Sequence, residues 1–306
     1  MHLLAMLLAL GLERALTHLL HLREPRWLDG YFGLFRGLLG RRNAAVATAG
    51  AVVAVGLPVL PVALLVAWLA RAPFGLVQFA LAVVVLLLSF GPRDLADEVD
   101  DYALAVERGD RAEADRRATE LLEADARGRR AGLREAVEEA IFVQANNRIF
   151  GVIFWFFALA PAGLGAVGAW TYRVSDLLRR RAAFEAARDA APALDDPLVR
   201  VLGAIHGLLA WLPARLAALG YALAGSFEDG VGHWRAAADG ASERLLDRTE
   251  DLLARVGRGA LQPSLGGVPA GDLEAATARG AWRIVSRALV IWLVAVAMLT
   301  LAGSAT

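Results

Sequence analysis

From Ala44 to Ala70 no residue carries a charge, and that run constrains the fold more than any other feature of the chain. A spanning helix needs roughly 20 mostly apolar residues, because inside a bilayer every backbone N–H and C=O must find its partner within the segment. Ile149 to Trp170 and Ala288 to near Gly303 meet or approach that length. Phe74 to Phe90 is shorter but almost wholly Leu, Val and Ala, and Arg71-Ala72-Pro73 before it reads as a tight turn between antiparallel helices. Val201 to Phe227 is apolar but carries His206, Pro213 and Arg215 near its middle. A lipid-facing Arg there would cost roughly 2.5 to 3.5 kcal/mol. That stretch is therefore either a span with Arg215 turned into the bundle or a re-entrant or interfacial helix. The fold class that follows is all-α, a polytopic membrane protein of four to five transmembrane helices with a cytoplasmic helical hairpin.

Composition agrees: 57% of the 306 residues are hydrophobic and 21% charged, and the mean hydropathy is +0.48. Basic and acidic residues number 32 each, which leaves no polybasic surface for nucleic acid. Every cation is Arg, since the chain has no Lys, and this excludes the P-loop Lys, the kinase Lys and Schiff-base chemistry. With no Cys, thiolate metal sites, disulfides and thiol nucleophiles are excluded as well. No metal and no cofactor is expected.

The expected organisation is an amphipathic, membrane-associated helix and basic linker over 1–43, a transmembrane pair over 44–90 and an acidic hairpin over 91–148. A transmembrane segment over 149–173, a polar connection over 174–200 and a membrane-embedded or re-entrant helix over 201–227 follow. A polar helical region over 228–283 and a final span over 284–306 complete it. The first 22 residues lack a basic start and a small-x-small cleavage site, and Glu13-Arg14 interrupts them, which favours a membrane-associated helix over a signal peptide. The excess of Arg places the N-terminal part and 91–148 in the cytoplasm of a multi-pass inner-membrane protein. The six Arg between Thr171 and Arg200 fit that topology poorly unless Ile149 to Trp170 is a hairpin bent at Pro161 and Gly163.

Residues 93–148 hold ten Arg against fifteen acids, a net of −5 inside a chain that sums to zero. Leu95, Val99, Tyr102, Ala103 and Val106 recur at helical spacing and Gly109 supplies a stop. Asp110 with Glu113 then reads as a capping box for a second helix. Asp94, Asp97, Glu98 and Asp101 share one helix face, which reads as solvated carboxylates near a helix N-terminus, and His18 with His21 lacks a third metal ligand. Gly163-x-Gly165-x-x-Gly168 has no strand before it, so it signals close helix packing.

The candidate ligand-binding residues are Gln144, Asn146, Asn147 and Arg148 at one end of an apolar stretch, Tyr172 and Arg173 at the other, and Arg215. Amides and guanidinium groups placed there must find hydrogen-bond partners, and together they suit an anionic ligand held by Arg forks.

On these residues the chain resembles the AmpE family, inner-membrane proteins connected with β-lactamase induction, and more distantly the CobD/CbiB adenosylcobinamide-phosphate synthases. The shared landmarks include Gly109-Asp110, Phe154-Trp155, Tyr172-Arg173, Leu194-Asp195-Asp196 and Leu212-Pro213-Ala214-Arg215-Leu216. Synthases carry Glu-Asn-Thr and then Asp-Gly where this chain has Val143-Gln144-Ala145 and then Asn147-Arg148, and their Gly-Arg-Asp-Thr has no counterpart around Ala126 to Leu133. The resemblance therefore implies a non-enzymatic sensor or accessory protein of the envelope stress response, with no catalytic residue and no P-loop for ATP. The alternative it implies is a synthase joining an amino-alcohol phosphate to a corrinoid carboxylate. The expected partners are the lipid bilayer, an anionic small molecule such as a cell-wall fragment, and a protein at the cytoplasmic hairpin, but no nucleic acid.

Overall fold

A computed structural model describes residues 2–16, 30–35, 44–71, 75–90, 95–122, 132–188, 196–238, 244–262, 266–269 and 271–304. Among them the regular elements are all helical. In chain order they are α1 (His2–Leu16), α2 (Ala44–Leu69), α3 (Gly75–Ser89), α4 (Leu95–Glu107), α5 (Arg111–Leu122) and α6 (Leu133–Ala145). A π-turn (Asn146–Phe150), α7 (Gly151–Leu159), a 3₁₀ turn (Ala160–Ala162), α8 (Gly165–Arg188), α9 (Pro197–Ala224), α10 (Phe227–Ala238), α11 (Leu245–Leu261) and α12 (Leu273–Ser304) follow. Ala45–Leu69, Leu133–Ala162, Pro197–Ala224 and Leu273–Ala302 are long and apolar enough to cross a bilayer. The chain is a multi-pass membrane protein.

Two spans differ from the sequence reading, and a third, disputed stretch takes one of its two expected forms. Ile149 to Trp170 is not one helix: the chain turns at the Ala160–Ala162 3₁₀ turn, Gly163 takes φ 72°, and the span begins instead at Leu133. The bend at Pro161 and Gly163 is the physical reason, since proline ends one helix and glycine admits the left-handed turn. Between Gly75 and Ser89 the helix has 15 residues, about 22 Å at 1.5 Å per residue, short of a hydrocarbon core of about 30 Å. The disputed stretch is one continuous helix of 28 residues with Pro213 inside it.

The chain forms two compact units, Met1–Pro92 with Gly151–Ala210, and Arg93–Phe150 with Trp211–Thr306. In the first, α2 is apolar on all sides and presents Val52, Leu57, Leu64 and Trp68 outward, as a lipid-facing helix does. Its Ala51, Ala54 and Val55 pack with Val174, Leu178 and Ala182 of α8 and Leu198 and Leu202 of α9. The three-glycine pattern allows α7 and α8 to touch: a Cβ at Gly165 would lie 2.6 Å from the Phe156 carbonyl, and one at Gly168 2.7 Å from that of Trp155.

Proline inside α2 strips a carbonyl of its helical partner, and at Ala54 an aromatic donor takes over. Pro58 has no N–H for Ala54, and the Tyr31 hydroxyl donates to that oxygen at 2.7 Å. Trp170 Nε1 donates to the Pro58 carbonyl at 3.0 Å. At the end of α2 the Gln78 amide donates to the Leu69 carbonyl at 2.7 Å.

In the second unit Tyr102, Leu121, Ile141, Phe142, Phe150, Tyr221, Leu253 and Val285 share one core. The hairpin forms as its sequence predicts, with Gly109 at φ 70° and the Glu113 N–H donating to Asp110 Oδ1 at 3.1 Å. The capping box is only half made, because the Glu113 carboxylate turns to Arg116 and Arg117. Nor do the carboxylates of α4 form one solvated face. Glu98 is buried, Asp101 pairs with Arg117 at 2.9 Å, and Arg279 of α12 binds Glu107 and approaches Asp100 at 3.5 Å. Tyr102 is fully buried and donates to Glu274 at 2.7 Å, and Arg111 reaches the same carboxylate at 3.2 Å. The acidic hairpin is therefore fastened to the polar start of α12. Asp94, His18 and His21 lie outside the described residues, as do the side chains of Glu13 and Arg14.

Candidate functional site

Two buried polar clusters lie on the long helices, one in each unit. In the second unit α6 runs into the π-turn, a local widening of the helix that often marks a working site. Three successive helical residues sweep about 200° of circumference at 3.6 residues per turn, yet Asn146, Asn147 and Arg148 are 0%, 3% and 6% exposed. The helix is therefore enclosed by protein at this level, and its polar groups must be satisfied internally.

Their side chains are joined in a network. Arg148 Nη1 donates to Glu98 at 2.9 Å and its Nε donates to Gln144 Oε1 at 3.2 Å. Gln144 Nε2 lies 3.4 Å from the Leu121 carbonyl, and Asn146 Nδ2 donates to Asn147 Oδ1 at 3.3 Å. Glu98 and Arg148 side chains are both 8% exposed. A pair so desolvated persists only where further hydrogen bonds support it, and Gln144 supplies one. Beside the turn, Phe150 packs against Tyr221 and Trp292 with centroids 5.7 and 5.1 Å away. The Tyr221 hydroxyl donates to the Phe142 carbonyl at 2.9 Å, where the helix changes register.

In the first unit the organising group is Asp176, which is fully buried. It accepts from Arg173 Nη1 at 3.1 Å and Arg179 Nη2 at 2.9 Å, and pairs with Arg180 Nε at 2.8 Å. The i, i+3 and i, i+4 spacing on α8 puts all four on one face. His206 of α9 completes the cluster, with Nδ1 3.1 Å from Ser175 Oγ and Nε2 3.7 Å from Asp176. Ser175 Oγ donates to the Tyr172 carbonyl at 2.7 Å, so its lone pair faces His206 and Nδ1 carries the proton. Nε2 then presents a lone pair toward Asp176, which accounts for a separation too long for a hydrogen bond. The Tyr172 ring lies against His206, centroids 5.1 Å apart, and over Gly151, where a Cβ would be 2.2 Å from the ring.

Of the candidate ligand residues, Gln144, Asn146, Asn147 and Arg148 are brought together. Arg173 is joined to Asp176, and Tyr172 to its His206 surroundings. Arg215 stacks on Trp211 at 4.0 Å and donates to the Trp211 carbonyl at 2.9 Å, engaged by its own helix. The shared landmarks that are described make contacts within the fold. Trp155 Nε1 donates to the Leu209 carbonyl at 2.9 Å, and Phe154 stacks edge-on against Trp155. Asp196 Oδ1 accepts the Leu198 N–H at 2.8 Å as the N-cap of α9. Asp195 lies outside the described residues. Sequence reasoning missed Glu98, Asp176, Ser175 and His206 as partners, although Arg173, Asp176 and Arg179-Arg180 stand at ion-pair spacing. Among the described residues no three His, Asp or Glu side chains are placed to hold a metal ion.

The comparisons bear on this scaffold. The cobalamin biosynthesis protein CobD of Stutzerimonas stutzeri is 33% identical over 188 residues, 60% of this chain and 56% of the relative. That of Chromobacterium violaceum is 31% identical over 210 residues, 66% of this chain and 60% of the relative. The chain thus spans under two thirds of the length of the curated relatives it matches. No solved structure matches. The family model described as CobD/Cbib protein matches residues 6–244, which take in both buried clusters, and the chain belongs to that family.

Proposed function

We propose that this chain works in cobalamin biosynthesis, as a membrane protein that joins an amino-alcohol phosphate to a corrinoid carboxylate. The observation that carries the reading is the family match across both polar clusters, with two relatives named for cobalamin biosynthesis. The arrangement around the π-turn supports it. Where the synthase pattern has acids, Val143 and Asn147 stand here, and a buried carboxylate reaches the turn from Glu98 on α4 instead. An Arg fork anchored by a carboxylate and an amide is suited to orienting substrate anions. The test is complementation. A bacterium lacking its own CobD, grown where it needs cobalamin and supplied with cobyric acid, regains growth when this chain is expressed. Absence of growth with the protein present in the membrane counts against the reading.

A second, non-enzymatic reading of the AmpE type draws on the same substitution, because the side chains of Val143 and Asn147 cannot bind a metal or move a proton as carboxylates do. Deleting the gene in a host with inducible β-lactamase separates the two: this reading requires altered induction, whereas the first requires none.

A further inference from the structure

We propose that a cavity at the polar end of α12 holds a phosphate group at the membrane surface, with Arg283 and Arg287 as its donors. The cavity has a volume of about 470 Å³ and is bounded by Ala224, Gly225, Ser226, Ala260, Gly280, Arg283, Ile284 and Arg287. All of these lie in the second unit. The size suits a small polar group and part of what carries it.

Three observations point to an anion. Arg283 and Arg287 stand at i and i+4, so both side chains leave the same helix face, with Cβ atoms about 6 Å apart. Both residues are exposed, and among the described residues no hydrogen bond or ion pair engages either, although Arg279 one turn earlier is bound to Glu107. Arg287 immediately precedes the uncharged run that begins at Ala288, which puts the pair where an apolar span meets the headgroup region. Two forked donors at that depth match the oxygens of a phosphate.

The walls leave the anion room without competing for it. Gly280 lets Arg283 fold back: its Nη2 lies 3.7 Å from where a Cβ would stand, and the same Cβ would be 2.7 Å from Leu261. The Ala260 carbonyl, which would repel an anion, is occupied by the Ser226 N–H at 3.0 Å. Asp229 takes the Ser226 hydroxyl at 2.5 Å and is not among the lining residues. Arg283 and Arg287 lie outside residues 6–244, so the proposal stands independently of the corrinoid reading.

The phosphate could be a lipid headgroup or a soluble phosphate, and the experiment separates them. Purified full-length protein in neutral detergent is examined by native mass spectrometry with short-chain phosphatidylglycerol in one arm and inorganic phosphate in the other. Arg283→Gln/Arg287→Gln and the control Arg235→Gln are run alongside. One bound phosphatidylglycerol per chain, weakened at least tenfold in the double variant and unchanged in the control, establishes a lipid phosphate. The same dependence for inorganic phosphate alone establishes a soluble one. Equal binding by the parent, control and double variant in both arms overturns the proposal, and so does no binding at all. Both substituted residues are exposed, so retained thermal unfolding checks that the double variant is folded.

Discussion

Trp155 Nε1 donates at 2.9 Å to the carbonyl of Leu209, the carbonyl that Pro213, four residues further along α9, leaves without a helical N–H. Two landmark residues far apart in sequence are thus one structural device: a proline opens the backbone of a spanning helix and an indole closes it.

Replacing Trp155 with Phe keeps most of the ring and orphans that carbonyl, at an expected cost of about 1–3 kcal/mol. In a Pro213→Ala background the restored N–H bonds Leu209, and the cost of Trp155→Phe falls to less than half. Thermal unfolding of the four proteins in detergent measures the cycle, and equal costs in both backgrounds would contradict the pairing.

Glu98→Gln leaves Arg148 buried without its charge partner, and its expected cost is about 3 kcal/mol. Replacing both, as Glu98→Gln/Arg148→Met, removes the charge along with its desolvation and recovers a good part of the loss. A double variant less stable than Glu98→Gln alone would mean that Arg148 has a stabilising role apart from this pair.

Tyr102 adds an alkaline limit. Burial, and then its hydrogen bond to Glu274, raise the hydroxyl well above the ordinary tyrosine value. A group whose folded pKa is raised contributes fully below its unfolded value, about 10 for tyrosine, and the contribution is lost as the pH climbs beyond it toward the folded value. The melting temperature of the parent protein therefore falls more steeply above about pH 10 than that of Tyr102→Phe. Parallel curves would remove Tyr102 from the account.

Gly151→Ala and Gly56→Ala make a matched contrast. A methyl at Gly151 meets the fully buried Tyr172 ring at 2.2 Å, whereas Gly56 has nothing within 4 Å. The first is expected to cost about 1–3 kcal/mol through overpacking. The second should stabilise α2 by about 0.5–1 kcal/mol through helix propensity.

What the sequence made legible follows periodicity and backbone chemistry. α2 could be placed because it is apolar on every side, and the hairpin because Gly109 and Asp110 punctuate it. The fold at Pro161 and Gly163 was visible as an alternative, since those residues break helices wherever they stand. Glu98 was not legible: it sits among Asp97, Asp100 and Asp101, and only packing brings it to a guanidinium fifty positions away. The half-made capping box failed for a similar reason, since Arg116 and Arg117 competed for Glu113 and, as its hydrogen bonds show, hold its carboxyl below the usual range. The stacking of Arg215 on Trp211 was not legible, because it is a matter of rotamer rather than of sequence order.

The central claim is amide formation on a corrinoid. Purified protein in lipid nanodiscs is incubated with adenosylcobyric acid, ATP, Mg²⁺ and aminopropanol phosphate, and the corrinoid is followed by mass spectrometry. The account predicts a product whose mass is the sum of the two organic substrates less one water, dependent on the amine phosphate and lost in Arg148→Met. Recovery of unchanged adenosylcobyric acid from folded protein, with a CobD relative active in the same nanodiscs, would contradict it.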